Sequence, residues 1–274
     1  MESNLLMEYL PLLLSLMATG VVGGLLAGLL GVGGGIVIVP VLYFVFQGLG
    51  MGNIEAMSLA TGTSLATIIP TSISSIRAHN SKGNVDWSLI QKWWFWLLFG
   101  VVLGGYLISI YKSSVFIVLF ALIAGFVSLR MLFSKNASVT NLPGLVMQRT
   151  VASVIGFLSV MIGIGGGTLG VPVLSKFNFV THRAVGTAAV FGLIIALPGA
   201  GLMLVLGSVP ENSPIGTYGA VNLPSLLAII PLTILFAPIG VKLGQKLNAV
   251  TLKKVFAVVL LITSVRMFTQ ALGV

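Results

Sequence analysis

Cysteine is missing altogether from the 274 residues, which excludes disulfides, thiol catalysis and thiolate metal sites. Two histidines and five carboxylates leave little to build a hydrolytic metal centre, and none of them falls inside an apolar segment, where an intramembrane enzyme would need a pair. No enzyme, metal or cofactor is therefore expected. Charge of either sign is scarce: Asp, Glu, Lys and Arg make up 7% of the chain, against roughly 25% in a soluble domain. A chain this poor in charge cannot cover a water-facing surface, but it can cover a lipid-facing one. No GxxxxGK string followed by Ser or Thr occurs, so the chain has no P-loop of its own.

Apolar residues fill the space that charge leaves. They account for 57% of the sequence, and the mean hydropathy is +1.13. Tyr9 to Leu30 runs without a charge, and about 20 such residues cross the hydrocarbon of a bilayer. No basic stretch precedes that run, only Glu2 and Glu8 at its edge, so a cleaved signal peptide is not expected. The net charge of +9 sits in short loops between apolar segments. That is the habit of cytoplasmic loops and not of a nucleic-acid groove.

The chain repeats itself. GVGGGIVIVPVL (Gly31 to Leu42) matches GIGGGTLGVPVL (Gly163 to Leu174), and ATGTS (Ala60 to Ser64) matches AVGTA (Ala184 to Ala188). GNVDW (Gly83 to Trp87) matches GAVNL (Gly219 to Leu223), and SLRMLF (Ser128 to Phe133) matches SVRMFT (Ser264 to Thr269). The offsets are 132, 124, 136 and 136 residues, in the same order in both halves. The expectation is an all-α polytopic membrane protein with a first unit at 1–136, a second at 137–274 and a junction near Asn136 to Pro143. Each unit has five apolar segments: 9–30, 36–48, 56–76, 89–110 and 114–133, then 144–163, 167–178, 183–206, 223–241 and 252–271. The second segment of each unit is short. Thirteen residues reach roughly 20 Å at a 1.5 Å rise, less than the roughly 30 Å of hydrocarbon, so half or broken helices are expected there.

Five crossings per unit would invert the second copy, and the loops agree. Arg77, Lys82 and Lys92 follow the third segment of unit one, where unit two has no base and carries Glu211. Lys242, Lys246, Lys253 and Lys254 follow the fourth segment of unit two, where unit one has only Lys112. With both termini outside the cell membrane, all of the 14 bases except Lys112 and Arg266 fall on the cytoplasmic side, as the positive-inside rule asks. Inverted repeats with discontinuous helices are the architecture of secondary transporters, which expose a shared site alternately to each side.

Candidate solute contacts follow from the repeated motifs. Gly33, Gly34 and Gly35 stand before Pro40, and Gly165, Gly166 and Gly167 before Pro172. Adjacent glycines leave backbone amides unshielded, and a half-helix starting there would aim amides and its positive dipole end at an anion. The competing reading is close helix packing. Thr61, Thr63, Ser64 and Thr187 could add hydroxyl donors, or could bond back to their own helix. Gly165 to Gly170 fits GxGxxG literally, but it follows a lipid-type segment with no carboxylate about 20 residues on, which rejects a dinucleotide site. Arg130 and Arg266 read as snorkelling side chains. Glu55, His79, Asp86 and His182 read as interfacial ionisable groups, and Trp87, Trp93, Trp94 and Trp96 as an aromatic belt.

These motifs resemble the TauE/SafE family of membrane proteins, also known as the sulfite exporter family. The resemblance rests on GLLGVGGGIVIVPVL, GIGGGTLGVPVL, HRAVGTA (His182 to Ala188) and GNVDW, and it covers nearly the whole chain. Unit one departs from it, with NIEAMSLATGTS where unit two has HRAVGTA. What the resemblance implies is a bacterial inner-membrane permease for small sulfur-containing anions such as sulfite or organosulfonates, with the glycine motifs as the substrate region. Together with the charge pattern, this gives a secondary transporter, with protons as a possible coupling partner. A passive anion channel, or a permease for another small organic anion, is the alternative.

Overall fold

The computed structural model describes residues 2–111, 113–133, 142–210, 212–246 and 250–272. Among them are ten helices and one short hairpin: α1 (Glu2–Leu30), α2 (Gly35–Gly48), α3 (Asn53–Asn80), α4 (Trp87–Ile110), α5 (Val115–Phe133), α6 (Leu145–Met161), α7 (Gly167–Lys176), α8 (Thr181–Val205), β1 (Thr217–Tyr218), β2 (Val221–Asn222), α9 (Leu223–Lys246) and α10 (Val250–Ala271). The expected segments are all present, and α2 and α7 are the short ones. Most of the expected junction near Asn136 to Pro143, with Lys112 and Glu211, lies outside the described residues.

Among the described residues, five helices are long and apolar enough to cross a membrane: Leu10–Leu30, Trp87–Ile110, Val115–Phe133, Thr181–Val205 and Leu223–Gly244. Their outer faces carry large apolar side chains open to the surroundings, among them Leu122, Phe126, Leu197, Leu227 and Leu235. In water such a surface would be an association hazard. In lipid it is the surface required, because helices satisfy their own backbone groups.

Side chains cap the starts of α4 and α9. The Asp86 carboxylate accepts from the Leu89 amide at 3.1 Å, and the Asn222 side-chain oxygen accepts from the Ser225 amide at 3.0 Å. Each thereby satisfies one orphan donor of the first turn, of α4 and α9 respectively. Pro40 and Pro172 lie inside α2 and α7 and do not end them. The breaks fall earlier, at the glycines.

α3 and α8 pack against each other at the centre. α2 and α9 flank α3, while α7 and α4 flank α8. Outside these, α1 packs on α9, α4 on α6 and α5 on α10. Exchanging α1–α5 with α6–α10 maps these pairings onto one another. Glycine sets the closest approaches: Gly28 faces the Ala237 carbonyl and Gly240 that of Leu25, while Gly100 faces the Ser153 carbonyl and Gly156 that of Leu97. Small residues at such crossings let backbones touch and gain dispersion energy that lipid cannot supply.

One expectation fails inside α4. Trp93 does not join an interfacial belt. It is 1% exposed, lies flat on Phe191 of α8 with centroids 5.7 Å apart, and donates through Nε1 to Gln148 Oε1 at 3.1 Å. Trp87 and Trp94 are exposed, and Trp96 carries the Arg149 guanidinium 5.3 Å over its ring. At helical spacing four tryptophans within ten residues cannot all face outward, and position 93 faces α8.

Candidate solute site where two helix breaks cross

The turn between α1 and α2 runs through Gly31, Gly33 and Gly34 at φ of 65°, 71° and 81°. That region is disfavoured for any residue with a Cβ, so the glycines are fixed by backbone geometry. Gly163 repeats this at φ 68° between α6 and α7. The two turns then cross. A Cβ on Gly35 would lie 2.7 Å from the Gly163 carbonyl oxygen, and one on Gly167 would collide with that of Gly31. Gly33 and Gly165 face each other, each Cα within 3.5 Å of where the other's Cβ would stand. The motifs that match in sequence are thus brought into contact, and close packing is one of their roles.

The crossing also leaves donors without acceptors. Val37 and Ile38 bond back to the Gly34 carbonyl at 3.0 and 3.1 Å, and Thr168 and Gly170 to Gly165 and Gly166. Among the described residues, the amides of Gly33, Gly34, Gly35 and Ile36 have no such acceptor, nor do those of Gly165, Gly166 and Gly167, and all of these residues are buried. Buried orphan amides are uncommon. Amides at the starts of two helices, each with its positive dipole end, form an environment suited to negative charge.

The hydroxyls divide into two groups. Ser64 Oγ donates to the Gly163 carbonyl at 2.8 Å, so it fastens α3 to the second break. Thr63 Oγ1 accepts from the Asn222 amide at 2.9 Å, and Thr187 Oγ1 accepts from the Asp86 amide at 2.9 Å. Those two are equivalent positions making equivalent bonds, one to each helix-capping loop, and they stand away from the glycine crossing. Thr61 packs on Gly163 through its Cα and its Cγ2 methyl, and its Oγ1 is buried without a partner. Of the four expected hydroxyls, Thr61 and Ser64 therefore border the crossing, while Thr63 and Thr187 latch the loops.

Other polar groups went unnoticed in the sequence. Thr168 Oγ1, in the first turn of α7, and Ser72 Oγ, on α3, are buried and unpartnered. His79 is not interfacial: it is 3% exposed, and its Nε2 donates to the Gly28 carbonyl at 3.0 Å. A single histidine beside a loop gives no sign of burial in a sequence; the i, i+3 and i+4 spacing of Ser64, Ser72, Ser75 and His79 is the signal that could have found it.

Charge collects beyond α3 and α8. Arg183 pairs with Asp86 at 3.0 Å, and Ser88 Oγ donates to the same carboxylate at 2.7 Å. Partial burial pushes the Asp86 carboxyl up, but the bonds from Ser88 and Leu89 and the Arg183 guanidinium outweigh it and hold the group below the usual carboxylate range. Arg266 lies over the Phe44 ring at 4.5 Å, so it packs on α2 and does not simply extend into the interface. Among the described residues no cluster of His, Asp and Glu could hold a metal ion.

A family model described as sulfite exporter TauE/SafE matches residues 16–267. The chain belongs to the TauE/SafE family. Relatives span nearly its whole length. A Haemophilus influenzae protein described as a probable membrane transporter protein is 30% identical over 253 residues, covering 92% of this chain and 96% of its own. A Methanocaldococcus jannaschii protein with the same description is 30% identical, covering 88% and 90%. A Bacillus subtilis one, YunE, is 26% identical, covering 94% and 97%. No solved structure matches. This TauE/SafE chain is therefore a multi-pass membrane transporter protein by family.

Proposed function

We propose that the chain is a secondary transporter, operating as an exporter, of a small sulfur-containing anion such as sulfite or an organosulfonate. The reading rests on one observation above the others: two glycine-lined helix breaks meet and leave buried amides without acceptors. An oxyanion is what such a set of donors binds. The family's description names sulfite export, and the few cations near the crossing leave the amides as the means of neutralising the charge.

Alternating access follows from two units, 1–136 and 137–274, inverted in the membrane. The exchange symmetry of the helix packing supports it, as do the paired bonds of Thr63 with Asn222 and Thr187 with Asp86. Loop charge puts both termini outside the bacterial inner membrane. Rocking one unit against the other would open one latch at a time, and protons are the coupling ion this reading favours.

Thermal unfolding in detergent against sulfite, thiosulfate, sulfate, sulfoacetate, small carboxylates and chloride tests the site. A ligand at about 100 times its dissociation constant adds roughly 2.7 kcal/mol, a readable rise in melting temperature. A rise confined to sulfur oxyanions is expected. A rise with carboxylates alone would move the substrate to another organic anion, and none with any anion would remove the amide site.

A further inference from the structure

The two central helices are not chemically alike. At 100° per residue, Thr61, Ser64, Thr71, Ser72, Ser75 and His79 fall on one side of α3, within a sector of about 100°. They are 0% exposed except Ser75 at 1% and His79 at 3%. The register of the repeat places Val185, Ala188, Ile195, Ala196, Gly199 and Met203 at the matching positions of α8, and these are also buried. Equivalent burial in an equivalent packing position therefore does not call for polar side chains. One helix has them throughout and the other has none. This stripe is also why α3, alone among the long helices of the first unit, is absent from the helices apolar enough to cross a membrane.

Part of the stripe serves packing. Thr71 Oγ1 bonds back to the Thr67 carbonyl at 2.8 Å. Ser75 Oγ and His79 Nε2 donate to the Ala27 and Gly28 carbonyls at 3.3 and 3.0 Å, capping the last turn of α1. The remainder has no such account. Thr61 Oγ1, Ser72 Oγ and His79 Nδ1 are buried with no partner, an arrangement that costs stability unless something else fills it. Ser72 Oγ points at α8, where Gly192 leaves it room: a Cβ there would lie 2.9 Å from the hydroxyl. From Thr61 to His79 the helix rises about 27 Å, close to the roughly 30 Å of hydrocarbon. Between Thr61 and Ser72, Ile68 packs on Gly33 and Gly35, so the stripe passes the glycine crossing. Basic groups gather at its far end, where Lys82 and His182 act electrostatically on His79 and Arg183 stands with Asp86.

We propose that this face of α3 is the wall along which a small oxyanion moves through the protein, handing its hydrogen bonds from hydroxyl to hydroxyl between Thr61 and His79, while the matching face of α8 takes no part in the path. The inference rests on the transporter reading and gives the path that reading lacks. The path is asymmetric, although the fold's packing is not.

The absence of cysteine allows a test that needs no known substrate. Single variants Ser64→Cys, Ser72→Cys and Ser75→Cys change one atom each. Ala188→Cys and Ala196→Cys place thiols at the matching positions of α8. Each is reconstituted and treated from either side with the membrane-impermeant anionic reagent 2-sulfonatoethyl methanethiosulfonate, itself a small sulfonate. Thiol modification follows access, and the α3 cysteines are expected to react about tenfold faster or more than the α8 pair. Equal reactivity on α3 and α8, or inert α3 thiols in protein whose unfolded chain labels fully, would overturn the path. A second pair of variants guards against misfolding: Thr61→Val and Ser72→Ala install what α8 already carries. They should melt no lower than wild type and move sulfite at least several-fold more slowly. Unchanged sulfite flux in both would also overturn the path. Sulfite counterflow with inert α3 thiols would leave the transporter standing and sink the path alone. Reactive α3 thiols without flux of any sulfur anion would do the reverse.

Discussion

Asp86 gathers several interactions at once. It caps α4, accepts from Ser88, pairs with Arg183, and its amide is held by Thr187. Replacing it with Asn keeps a capping side chain and loses the ion pair. Because Arg183 is 57% exposed, the pair itself is worth only about 0.2–1 kcal/mol after solvent screening. The carboxyl is held below its ordinary range when folded. Its contribution is therefore intact above the unfolded value of about 3.9 and is lost as pH falls through the lower folded value. Melting curves should place Asp86→Asn slightly below wild type at neutral pH and bring the two together in strong acid; a gap that persists there would mean that the ion pair is not the source. The glycines of the breaks carry a sharper prediction. Gly35→Ala and Gly167→Ala drive a methyl into the opposite turn's backbone and should cost several kcal/mol, in the upper range for overpacking of about 1–3 kcal/mol. Gly201, inside α8 with nothing within 4 Å, should gain about 0.5–1 kcal/mol as Ala. Valine at Gly34 or Gly166 cannot separate solute binding from packing, since Gly34 has φ 81° and Gly166 abuts Phe191.

At the scale of helices, Trp93 and Trp94 make the contrast that a sequence does not show. Trp93→Ala should cost about 3–5 kcal/mol, the usual range for an emptied aromatic core position. Trp94→Ala, on an exposed face, should stay within about 0.5 kcal/mol of wild type. Similar losses for the two would deny that α4 meets α8 through Trp93. Helix bounds were legible because long charge-free runs and short second segments each have a direct physical reading, whereas the caps at Asp86 and Asn222 emerged only from the structure. The glycine breaks were legible as breaks, because three adjacent glycines cannot be explained by helix propensity. That the two breaks would share one site was an expectation of the repeat, but which residues touch, 33 against 165 among them, was not legible, since it depends on the tertiary arrangement. The same holds for His79 and Ser72: a hydroxyl or an imidazole in a half-apolar helix can face lipid interface, neighbour or solute path, and only the packing decides.

At the scale of the molecule, equivalence between the halves is visible in individual bonds. Ser128 Oγ donates to the Ala257 carbonyl and Ser264 Oγ to that of Ala121, both at 2.6 Å, so α5 and α10 clasp each other reciprocally. Ser128→Ala and Ser264→Ala should each cost about 1 kcal/mol and behave alike in thermal unfolding, as equivalent positions must. A large difference between them would argue that the two halves are not matched there. The two latches differ in charge: the Asp86 carboxylate pairs with Arg183, whereas Asn222 is a neutral amide. In an alternating cycle this favours closure on the charged side, and added salt should shift the balance towards opening there.

Counterflow in proteoliposomes bears most directly on the central claim. Vesicles loaded with unlabelled sulfite would be diluted into trace radiolabelled sulfite, and entry of label followed over time. A carrier that alternates around one site predicts transient uptake above equilibrium, saturating with sulfite and stimulated by the internal anion. Entry that is linear in sulfite and indifferent to the internal load would contradict alternating access and make the chain a channel.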